Sequence, residues 1–456
     1  MVDPTSNPDA HEILLRITTY KQDKLAEMNS GEDLAQRRRV TGGNLSLGYA
    51  EPLHIVRGDM QYLYDETGRR YLDAYNNVPH VGHCHPEVVS SAHAQMGTLN
   101  TNTRYLSRHF NAYAEALLAT FPDELNTCFL LNSASEANEL AIRLSRAATG
   151  YRDTIVSDSA YHGHTTTLID LSPYKHNGPG GEGPPDWVHT VPLPDTYRGI
   201  YRDQRAGEQY ARTVGEKIEQ ILASGRKPAA FFAETYPSVG GQIITPEGYL
   251  AAIYPQVRAA GGICIADEVQ TGYGRVGHSF YAFEKHGVVP DIVVLGKPIG
   301  NGHPIAAVVT RRDIADTFNN GMEFFSTFGG NTVSCVIGKK VLEITQREQL
   351  QHHAHVVGEQ LLKGFEQLKK NHERVGDVRG AGLFLGIELV ENRETLEPAT
   401  SAANTVSNQL REHGILIGTD GCHHNVLKIR PPMPFNEENA NELLDGLDRA
   451  LQQLSA

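Results

Sequence analysis

Lys297 stands in a segment whose composition suits a reactive amine. Residues 292–295 form a short apolar run, which predicts a buried strand, and Lys297 follows two positions later, before a turn rich in glycine and proline. Burial disfavours the charged form of a lysine and lowers its pKa, which makes the amine nucleophilic. Such an amine suits a Schiff base with pyridoxal phosphate (PLP). An ordinary lysine whose stem packs at a strand end fits the same segment, so other residues must decide.

The rest of the chain predicts the sheet at whose edge this lysine lies. Strands and helices alternate after about residue 87, which predicts an α/β fold with a mainly parallel sheet covered by helices on both faces. The apolar runs that predict further strands are residues 128–131, 154–157, 230–233 and 263–266. Parallel strands bind ligands at their carboxyl ends. The polar residues at such ends are Asn132, Glu234, Asp267 and Lys297.

Asp267 ends one of these runs, and a carboxylate there has three interpretations. Facing a pyridine nitrogen, it would keep that nitrogen protonated, so that the cofactor ring withdraws electrons. It would otherwise cap the next turn or bind magnesium, although no GxxxxGK[ST] sequence accompanies it. The glycines at 272, 274 and 277 match GxGxxG but do not begin directly after a strand, so we interpret them as a mobile loop near the site.

Other polar segments suit a phosphate, a cofactor ring or a substrate. Residues 132–138 form a strand-to-helix turn that favours an anion, although a serine N-cap explains the same pattern. Residues 326–331 have a hydroxyl and glycines that let the backbone approach a phosphate closely, although a simple glycine turn explains the same pattern. Tyr161 would stack on a ring or pack in the core. Arg430 would bind an oxyanion or form a surface ion pair. Residues 76–86 form a functional loop or a hydrogen-bonded turn.

Composition narrows the classes of function. The chain has 456 residues, 40% hydrophobic and 21% charged, which is enough for two lobes. A net charge of −13 without a long basic run disfavours nucleic acid or an anionic membrane as a partner. No apolar run approaches the roughly 20 residues of a membrane span. Five scattered cysteines and no visible secretory signal predict a cytoplasmic protein. The histidine pairs lack a zinc-ligand pattern, so we expect no metal.

Together these motifs resemble the class III aminotransferases, which have the PLP fold type I. The segments that carry the resemblance are residues 132–138, 161–163, 266–272, 295–298, 327–331 and 430–432. It implies a large domain with a mainly parallel seven-stranded sheet between helices, and a smaller α/β domain from the N- and C-terminal segments. We therefore expect an N-terminal arm and part of the small domain at 1–75, the PLP-binding domain at 76–334 and the C-terminal small domain at 335–456.

The resemblance also implies roles for matching residues. Lys297 would carry the Schiff base, and Asp267 would pair with the pyridinium nitrogen. Ala134 and Ser135 would hold the cofactor phosphate. Thr327 would reach that phosphate from a neighbouring subunit, which would make a homodimer, alone or paired into a tetramer, the catalytic unit.

The same comparison of motifs implies three more cofactor contacts and shows one difference from the family pattern. Tyr161 would stack on the ring, Gln270 would reach the ring hydroxyl, and Glu234 would lie close by. Ala134 stands where the family usually has glycine. Its amide can still donate, so we expect cofactor binding to survive.

One branch of the class, the ethanolamine-phosphate phospho-lyases, shows a closer resemblance. The segments that indicate it are residues 76–86, 194–199, 296–304 and 420–428. Such a lyase would eliminate phosphate from O-phosphoethanolamine or a close phospho-amine. We expect Arg430, Asn77 and His80 to bind this substrate. The alternatives are an ω-amino acid or amine aminotransferase that uses pyruvate or 2-oxoglutarate, and a PLP-fold binding or scaffold module.

Some elements are predicted from pattern alone. A helix is expected within residues 11–40, and two strands joined by a turn at 65–68 are expected within 54–73. The other such predictions are a long ordered loop at 172–208, one amphipathic helix at 346–370 and one strand at 378–389.

Overall fold

The structure is a computed structural model and describes residues 30–454. The α-helices of this part of the chain are α1 (Ser30–Val40), α2 (Pro86–Thr98), α3 (Arg108–Leu118), α4 (Ala134–Thr149), α5 (Thr166–Asp170), α6 (Pro173–His176), α7 (Ala206–Ala223), α8 (Tyr249–Ala259), α9 (Arg312–Thr317), α10 (Thr332–Arg347), α11 (Leu350–Asn371), α12 (Thr400–Glu412) and α13 (Glu437–Gln453). Its β-strands are β1 (Ile55–Asp59), β2 (Tyr62–Asp65), β3 (Arg70–Asp73), β4 (Thr127–Leu131), β5 (Asp153–Ser157), β6 (Val188–Val191), β7 (Pro228–Glu234), β8 (Ile263–Asp267), β9 (Ile292–Leu295), β10 (Ala306–Thr310), β11 (Val375–Ala381), β12 (Phe384–Asn392), β13 (Glu397–Pro398), β14 (Ile415–Leu416), β15 (Gly418–Asp420) and β16 (Val426–Ile429).

A seven-stranded sheet forms the centre of the fold, in the order β4-β10-β9-β8-β7-β5-β6. Its neighbouring strands are parallel, except that β10 runs antiparallel to β4 and β9. Successive side chains of a strand point to opposite faces. Phe232 and Ile265 accordingly pack with the residues of α4, whereas Phe231 and Cys264 pack with those of α7 and α8. The predicted mainly parallel sheet between helices is confirmed.

Two strands of this sheet were not predicted. β6 lies within the segment expected to be a loop, and only its end residues, Val188 and Val191, are buried. A four-residue strand at the edge of a sheet carries little hydrophobic pattern, and the prolines and glycines around it conceal the rest. β10 inserts between β4 and β9 although it follows both along the chain. Such an insertion leaves no signal in local sequence.

The chain ends meet in smaller sheets. β1, β2 and β3 form an antiparallel meander, and β14 adds to β3 in parallel, so a C-terminal segment completes an N-terminal sheet. The turn predicted at 65–68 is confirmed, with the Asp65 carboxylate accepting hydrogen bonds from the amides of Thr67 and Arg69 at 3.0 Å each. A further sheet contains β11, β12, β16 and β15. The domain division at 75 and 334 remains a prediction, and α10 continues across residue 334.

Three predictions from pattern need correction. The helix expected at 346–370 is α11, which begins at Leu350 rather than at residue 346, because Gln349 has a φ of +50° that no helix allows and residues 346–347 end α10. The single strand expected at 378–389 is the hairpin of β11 and β12, which turns at Gly382 with φ +54°. The region 54–73 holds three strands rather than two. Of the helix expected within 11–40, residues 11–29 lie outside the described part of the chain.

Close packing of α11 on the β11–β12 turn gives a testable expectation. A Cβ at Gly358 would lie 2.2 Å from the carbonyl oxygen of Gly382, and neither backbone can easily retreat. Gly358→Ala should therefore lower the free energy of unfolding by about 1–3 kcal/mol. Gly97→Ala in α2 is the matched control, because nothing lies within 4 Å of the added methyl group. It should stabilise by up to about 1 kcal/mol through helix propensity. Equal denaturant midpoints for the two variants would contradict this packing.

Candidate active site

A cavity of about 350 Å³ opens at the carboxyl ends of β4, β7, β8 and β9. This is the edge of the sheet at which the polar strand-end residues were predicted to lie. The predicted site residues that line the cavity are Ala134, Ser135, Tyr161, Glu234, Asp267, Gln270 and Lys297. Residues spread over more than 160 positions of sequence therefore meet at one edge of the sheet.

Lys297 begins a short 3₁₀ turn, Lys297–Gly300, directly beyond β9. Its φ of +28° is unusual for a residue with a side chain. Burial lowers its pKa from 10.5 to about 8, and the nearby Arg430 cation contributes in the same direction. The turn is anchored by Asn301, whose side chain accepts from the amide of Val81 at 2.8 Å and donates to the carbonyl of Gly82 at 2.9 Å. The strand end therefore presents a fixed amine that is partly neutral near pH 8.

Asp267 is held by three hydrogen-bonding groups at the end of β8. Its Oδ2 accepts from Asn138 Nδ2 at 3.0 Å and lies 2.9 Å from His162 Nδ1. Its Oδ1 accepts from the amide of Val269 at 3.1 Å. The His162 ring stacks on Phe232, with centroids 3.9 Å apart. The carboxylate is 4% exposed, so these contacts fix its orientation towards the cavity.

Two of these partners, Asn138 and His162, were not assigned roles from the sequence. Both belong to segments that carried the family resemblance, yet neither ends a strand. Asn138 lies one turn into α4, and its Nδ2 also donates to the carbonyl of His162 at 2.7 Å. Only the folded chain brings α4 and the segment after β5 to the same carboxylate.

Glu234, at the end of β7, shares the cavity with Asp267. Burial and the neighbouring Asp267 raise the pKa of Glu234 to about 8. Its Oε2 accepts from the amide of Ser238 at 3.0 Å. Its buried Oε1 has no protein partner. Burial therefore favours the protonated form of this side chain near neutral pH, and Oε1 remains for a bound group.

The N-terminus of α4 forms another wall of the cavity. Ser133 caps this helix, with its Oγ accepting from the amide of Glu136 at 3.2 Å, so the N-cap interpretation is correct. The capped helix also leaves the first-turn amides of Ala134 and Ser135 without intrahelical acceptors, and such amides bind anions. A Cβ at Gly163 would lie 2.6 Å from Ser135 Oγ, so a backbone segment lies tightly against this turn.

These residues fit PLP. A nucleophilic amine, a fixed carboxylate and a helix N-terminus match the aldehyde, the ring nitrogen and the phosphate of that cofactor. The cavity wall also carries buried polar atoms without protein partners, namely Glu234 Oε1, Asn138 Oδ1 and His162 Nε2. Tyr161 lines the same cavity, where an aromatic ring can stack on a planar cofactor.

Arg430 and Asn77 meet at Gln270 beside the cofactor cavity. Asn77 Nδ2 donates to Gln270 Oε1 at 2.6 Å, and Arg430 Nη1 donates to the same oxygen. Arg430 Nη1 also donates to Ser238 Oγ at 2.9 Å. The amide oxygen of Gln270 is thus fully engaged, and its Nε2 remains for other contacts.

Four predicted residues are not part of the cavity wall: Arg430 and Asn77, which contact Gln270 of that wall, and His80 and Thr327. His80 is fully buried, with Nε2 2.9 Å from the carbonyl oxygen of Tyr273 and Nδ1 3.5 Å from Arg275 Nη2. Both ring nitrogens face protein groups, and burial holds the pKa of His80 well below its usual value. Thr327 is exposed on the surface and does not line this chain's own cavity. The glycine-rich loop at 272–277, which we expected to be mobile, is buried around Tyr273.

The chain matches the family model for class III aminotransferases over residues 47–451. It belongs to this family. Class III aminotransferases are PLP-dependent, and the α/β fold described above is theirs. Among residues 30–454, every helix is too short or too polar to cross a lipid bilayer.

Relatives with different names are similar to this chain. An alanine–glyoxylate aminotransferase 2-like protein of Drosophila melanogaster is 47% identical, over 97% of this chain and 90% of its own length. The ethanolamine-phosphate phospho-lyase homolog 1 of Caenorhabditis elegans is 42% identical, over 93% and 94% of the two chains. The solved structure of an Arthrobacter phospholyase in complex with phosphoethanolamine is 40% identical, with a TM-score of 0.88 over 92% of this chain and 99% of that one.

The pKa of Lys297 predicts how cofactor loading depends on pH. Only the neutral amine attacks an aldehyde, so the rate at which cofactor-free protein binds PLP should rise with pH, with an apparent pKa of about 8. Arg430→Gln should move this pKa upward, because it removes a neighbouring cation. Stopped-flow absorbance of the bound cofactor measures both rates. An apparent pKa near 10.5 in the unaltered protein would contradict the burial of Lys297.

Ala134, the departure from the family pattern, makes a second prediction. A Cβ at Gly296 would lie 2.8 Å from Ala134 Cβ. The φ of Gly296, −163°, lies outside the left-handed region that favours glycine, and Ala134 Cβ is the nearest atom that an added side chain would meet. Gly296→Ala should lower the free energy of unfolding by about 1–3 kcal/mol and weaken PLP binding.

The double variant Ala134→Gly/Gly296→Ala removes the clashing atom. It should recover most of both losses in a thermal melt and a PLP titration, whereas Ala134→Gly alone should change little. Failure of the double variant to recover either quantity would show that Gly296 is required for another reason.

Proposed function

We propose that this protein is a PLP-dependent phospho-lyase that converts O-phosphoethanolamine, or a close phospho-amine, and water to acetaldehyde, ammonia and phosphate. The observation that carries the proposal is the buried guanidinium of Arg430 beside the cofactor cavity. Among residues 30–454, no carboxylate lies within 4 Å of this guanidinium, and its Nε has no hydrogen-bond partner. An anionic ligand would offset the cost of burying such a charge.

A second cation, Lys428, lies near Arg430 and is paired with a carboxylate. Lys428 lies on β16, two residues before Arg430, and its Nζ contacts Asp420 Oδ2 at 2.7 Å and lies 5.3 Å from the centre of the Tyr75 ring. Both Lys428 and Arg430 act to lower the pKa of Lys297. A substrate phosphate carries nearly two negative charges at neutral pH, and Arg430 would bind it, because the charge of Lys428 is balanced by Asp420.

The comparisons support the same substrate class. The Arthrobacter phospholyase was solved with phosphoethanolamine bound, and it aligns with this chain over nearly its whole length. The phospho-lyase homolog of Caenorhabditis elegans covers a similar share. Amine transaminases with known structures share the fold at about 26% identity.

In this proposal the chain's own groups divide the work. Bound PLP supplies an electron-withdrawing ring that stabilises negative charge on the carbon next to the substrate nitrogen. Asp267 holds a proton on the ring nitrogen. Lys297 Nζ removes the proton from that carbon. Arg430 holds the phosphate on the adjacent carbon, where the carbon–oxygen bond breaks and its electron pair leaves with phosphate. Water then hydrolyses the released product to acetaldehyde and ammonia.

A class III aminotransferase is the second candidate. The name of the Drosophila relative favours it, and a guanidinium such as Arg430 binds a substrate carboxylate as well as a phosphate. Lys297 would then pass the proton that it took from the substrate to the bound cofactor, and no bond to the adjacent carbon would break. The position of a leaving group next to the reacting carbon separates the two outcomes.

The quaternary structure and the compartment belong to the same proposal. Thr327 lies between Phe325 and Phe328, which are 40% and 69% exposed. An exposed apolar segment beside a hydroxyl supports a homodimer in which Thr327 serves the neighbouring cofactor. All five cysteines are free thiols, which supports a reducing compartment such as the cytoplasm, although alanine–glyoxylate aminotransferase relatives are named as mitochondrial.

A phosphate-release assay tests the proposal. Purified protein with PLP and O-phosphoethanolamine, without any keto acid, should release inorganic phosphate. Lys297→Ala should abolish release, and Arg430→Gln should lower kcat/KM on the order of 100-fold by removing a buried cation. Lys339→Ala, which removes a half-exposed ion pair with Glu343, is the control and should change nothing. No phosphate release, with turnover of amines that requires a keto acid, would favour the aminotransferase.

A further inference from the structure

An ion network joins the small β11–β12 sheet to the loop after β6, and it consists of the buried Glu388 and the partly buried Arg198 and Arg379. We call these three residues the clamp. Arg379 Nη2 lies 2.8 Å from Glu388 Oε2, and Arg198 Nε contacts Oε1 of the same carboxylate. Burial acts to raise the pKa of Glu388, but the two guanidinium groups outweigh it and hold this pKa below its usual value. The carboxylate is therefore charged, and removing either arginine would leave it poorly compensated.

Arg379 of the clamp binds the 238–241 turn, which follows β7 of the seven-stranded sheet. Its Nε and Nη2 both donate to the carbonyl oxygen of Gly241, at 2.9 and 2.7 Å. The turn closes with the amide of Gly241 donating to the carbonyl of Ser238 at 2.9 Å. A Cβ at Gly241 would lie 3.1 Å from Arg379 Nη2, and the φ of Gly241 is +121°. The turn therefore suits a guanidinium lying against its backbone.

Ser238 connects this turn to the active site through two hydrogen bonds. Its Oγ accepts from Arg430 Nη1 at 2.9 Å, and its amide donates to Glu234 Oε2 at 3.0 Å. Ser238 is fully buried. A continuous series of contacts thus runs from Glu388 through Arg379, Gly241 and Ser238 to Arg430.

The clamp explains the structural role of residues 194–199. This segment was one of those that resembled the phospho-lyases, yet none of its residues lines the cofactor cavity. Asp195 Oδ1 accepts from the amides of Tyr197 and Arg198 at 2.7 and 3.1 Å, which shapes the turn that presents Arg198 to Glu388. Gly199 lies so close to Tyr210 that an added Cβ would fall 1.9 Å from the Tyr210 hydroxyl.

We propose that the clamp is a set of positioning residues that fixes the 238–241 turn and, through Ser238, orients Arg430 for the phosphate of the substrate. This inference rests on the proposed function, in which Arg430 binds that phosphate. The clamp itself contacts neither cofactor nor substrate. It determines affinity for the anionic end of the substrate rather than the rate of bond breaking.

Arg379→Lys in the holoenzyme tests the clamp, because lysine keeps the charge but lacks the planar fork that reaches Gly241 and Glu388 together. It should raise the KM for O-phosphoethanolamine and the inhibition constant of inorganic phosphate by about tenfold each, with kcat within about threefold. Arg374→Lys is the matched control. Arg374 pairs with Glu391 of β12 at 3.0 Å, but these side chains are 38% and 36% exposed. This control should leave all three constants within about twofold.

A double-mutant cycle with Ser238→Ala separates positioning from a general loss of stability. Ser238→Ala alone should raise the phosphate inhibition constant, and Arg379→Lys should add less than about threefold in that background. Multiplicative effects would overturn the route through Ser238. If Arg379→Lys fails to fold, Ser238→Ala, which removes a single oxygen, decides alone: an unchanged inhibition constant overturns the proposal.

The test distinguishes failure of the clamp from failure of the phospho-lyase proposal. If the unaltered enzyme releases no phosphate from O-phosphoethanolamine, the reaction proposal fails, and inorganic phosphate binding is measured instead from the absorbance of bound PLP. Weaker phosphate binding in Arg379→Lys, but not in Arg374→Lys, still supports the clamp. Equal binding in the two variants, or no phosphate binding to the unaltered protein, overturns it.

Discussion

The structure depends on how one buried cavity balances its charges. Isolated charges cost several kcal/mol each away from water, yet this cavity gathers two cations, Lys297 and Arg430, and two acids, Asp267 and Glu234. Burial moves the pKa of Lys297 down and that of Glu234 up, each to about 8, so both are partly neutral near that pH. Asp267 is instead stabilised by the donors around it. Only Arg430 stays charged without a carboxylate, which is why an anionic ligand completes the site.

The strands of the fold fix the positions of these charged side chains. Glu234 and Asp267 end buried strands of one sheet and Lys297 lies just beyond a third, so their spacing is set by the sheet itself. Arg430 arrives from β16 of another sheet and is tied to the first by Ser238 and Gln270. The anion-binding group is thus the one part of the site whose position depends on contact between two sheets, and the clamp lies at that contact.

The sequence predicted best where chemistry coincides with a strand end. Lys297, Asp267 and Glu234 follow uninterrupted apolar runs, and such runs are recognisable without any tertiary information. The roles of Asn138 and His162 were not predicted, because they arise only when α4 and the segment after β5 converge on Asp267. Their types alone, an amide within a helix and a histidine beside glycine, fit many structural roles.

Loop residues were the least predictable from sequence. The polar loop at 76–86 suggested two substrate contacts, but its side chains divide between the site and the interior: Asn77 bonds Gln270, whereas His80 is enclosed by Tyr273 and Arg275. The 346–370 and 378–389 segments were misjudged for a related reason. A single residue with positive φ interrupts each of these hydrophobic patterns: Gln349 separates α10 from α11, and Gly382 lies in the turn between β11 and β12.

A crystal structure of the Lys297→Ala variant with PLP and O-phosphoethanolamine tests the central claim most directly, because this variant binds substrate without removing its proton. We expect the substrate phosphate to lie within hydrogen-bonding distance of the Arg430 guanidinium, with Ser238 still bonded to the same guanidinium. A phosphate bound elsewhere, with Arg430 facing only protein groups, would contradict it.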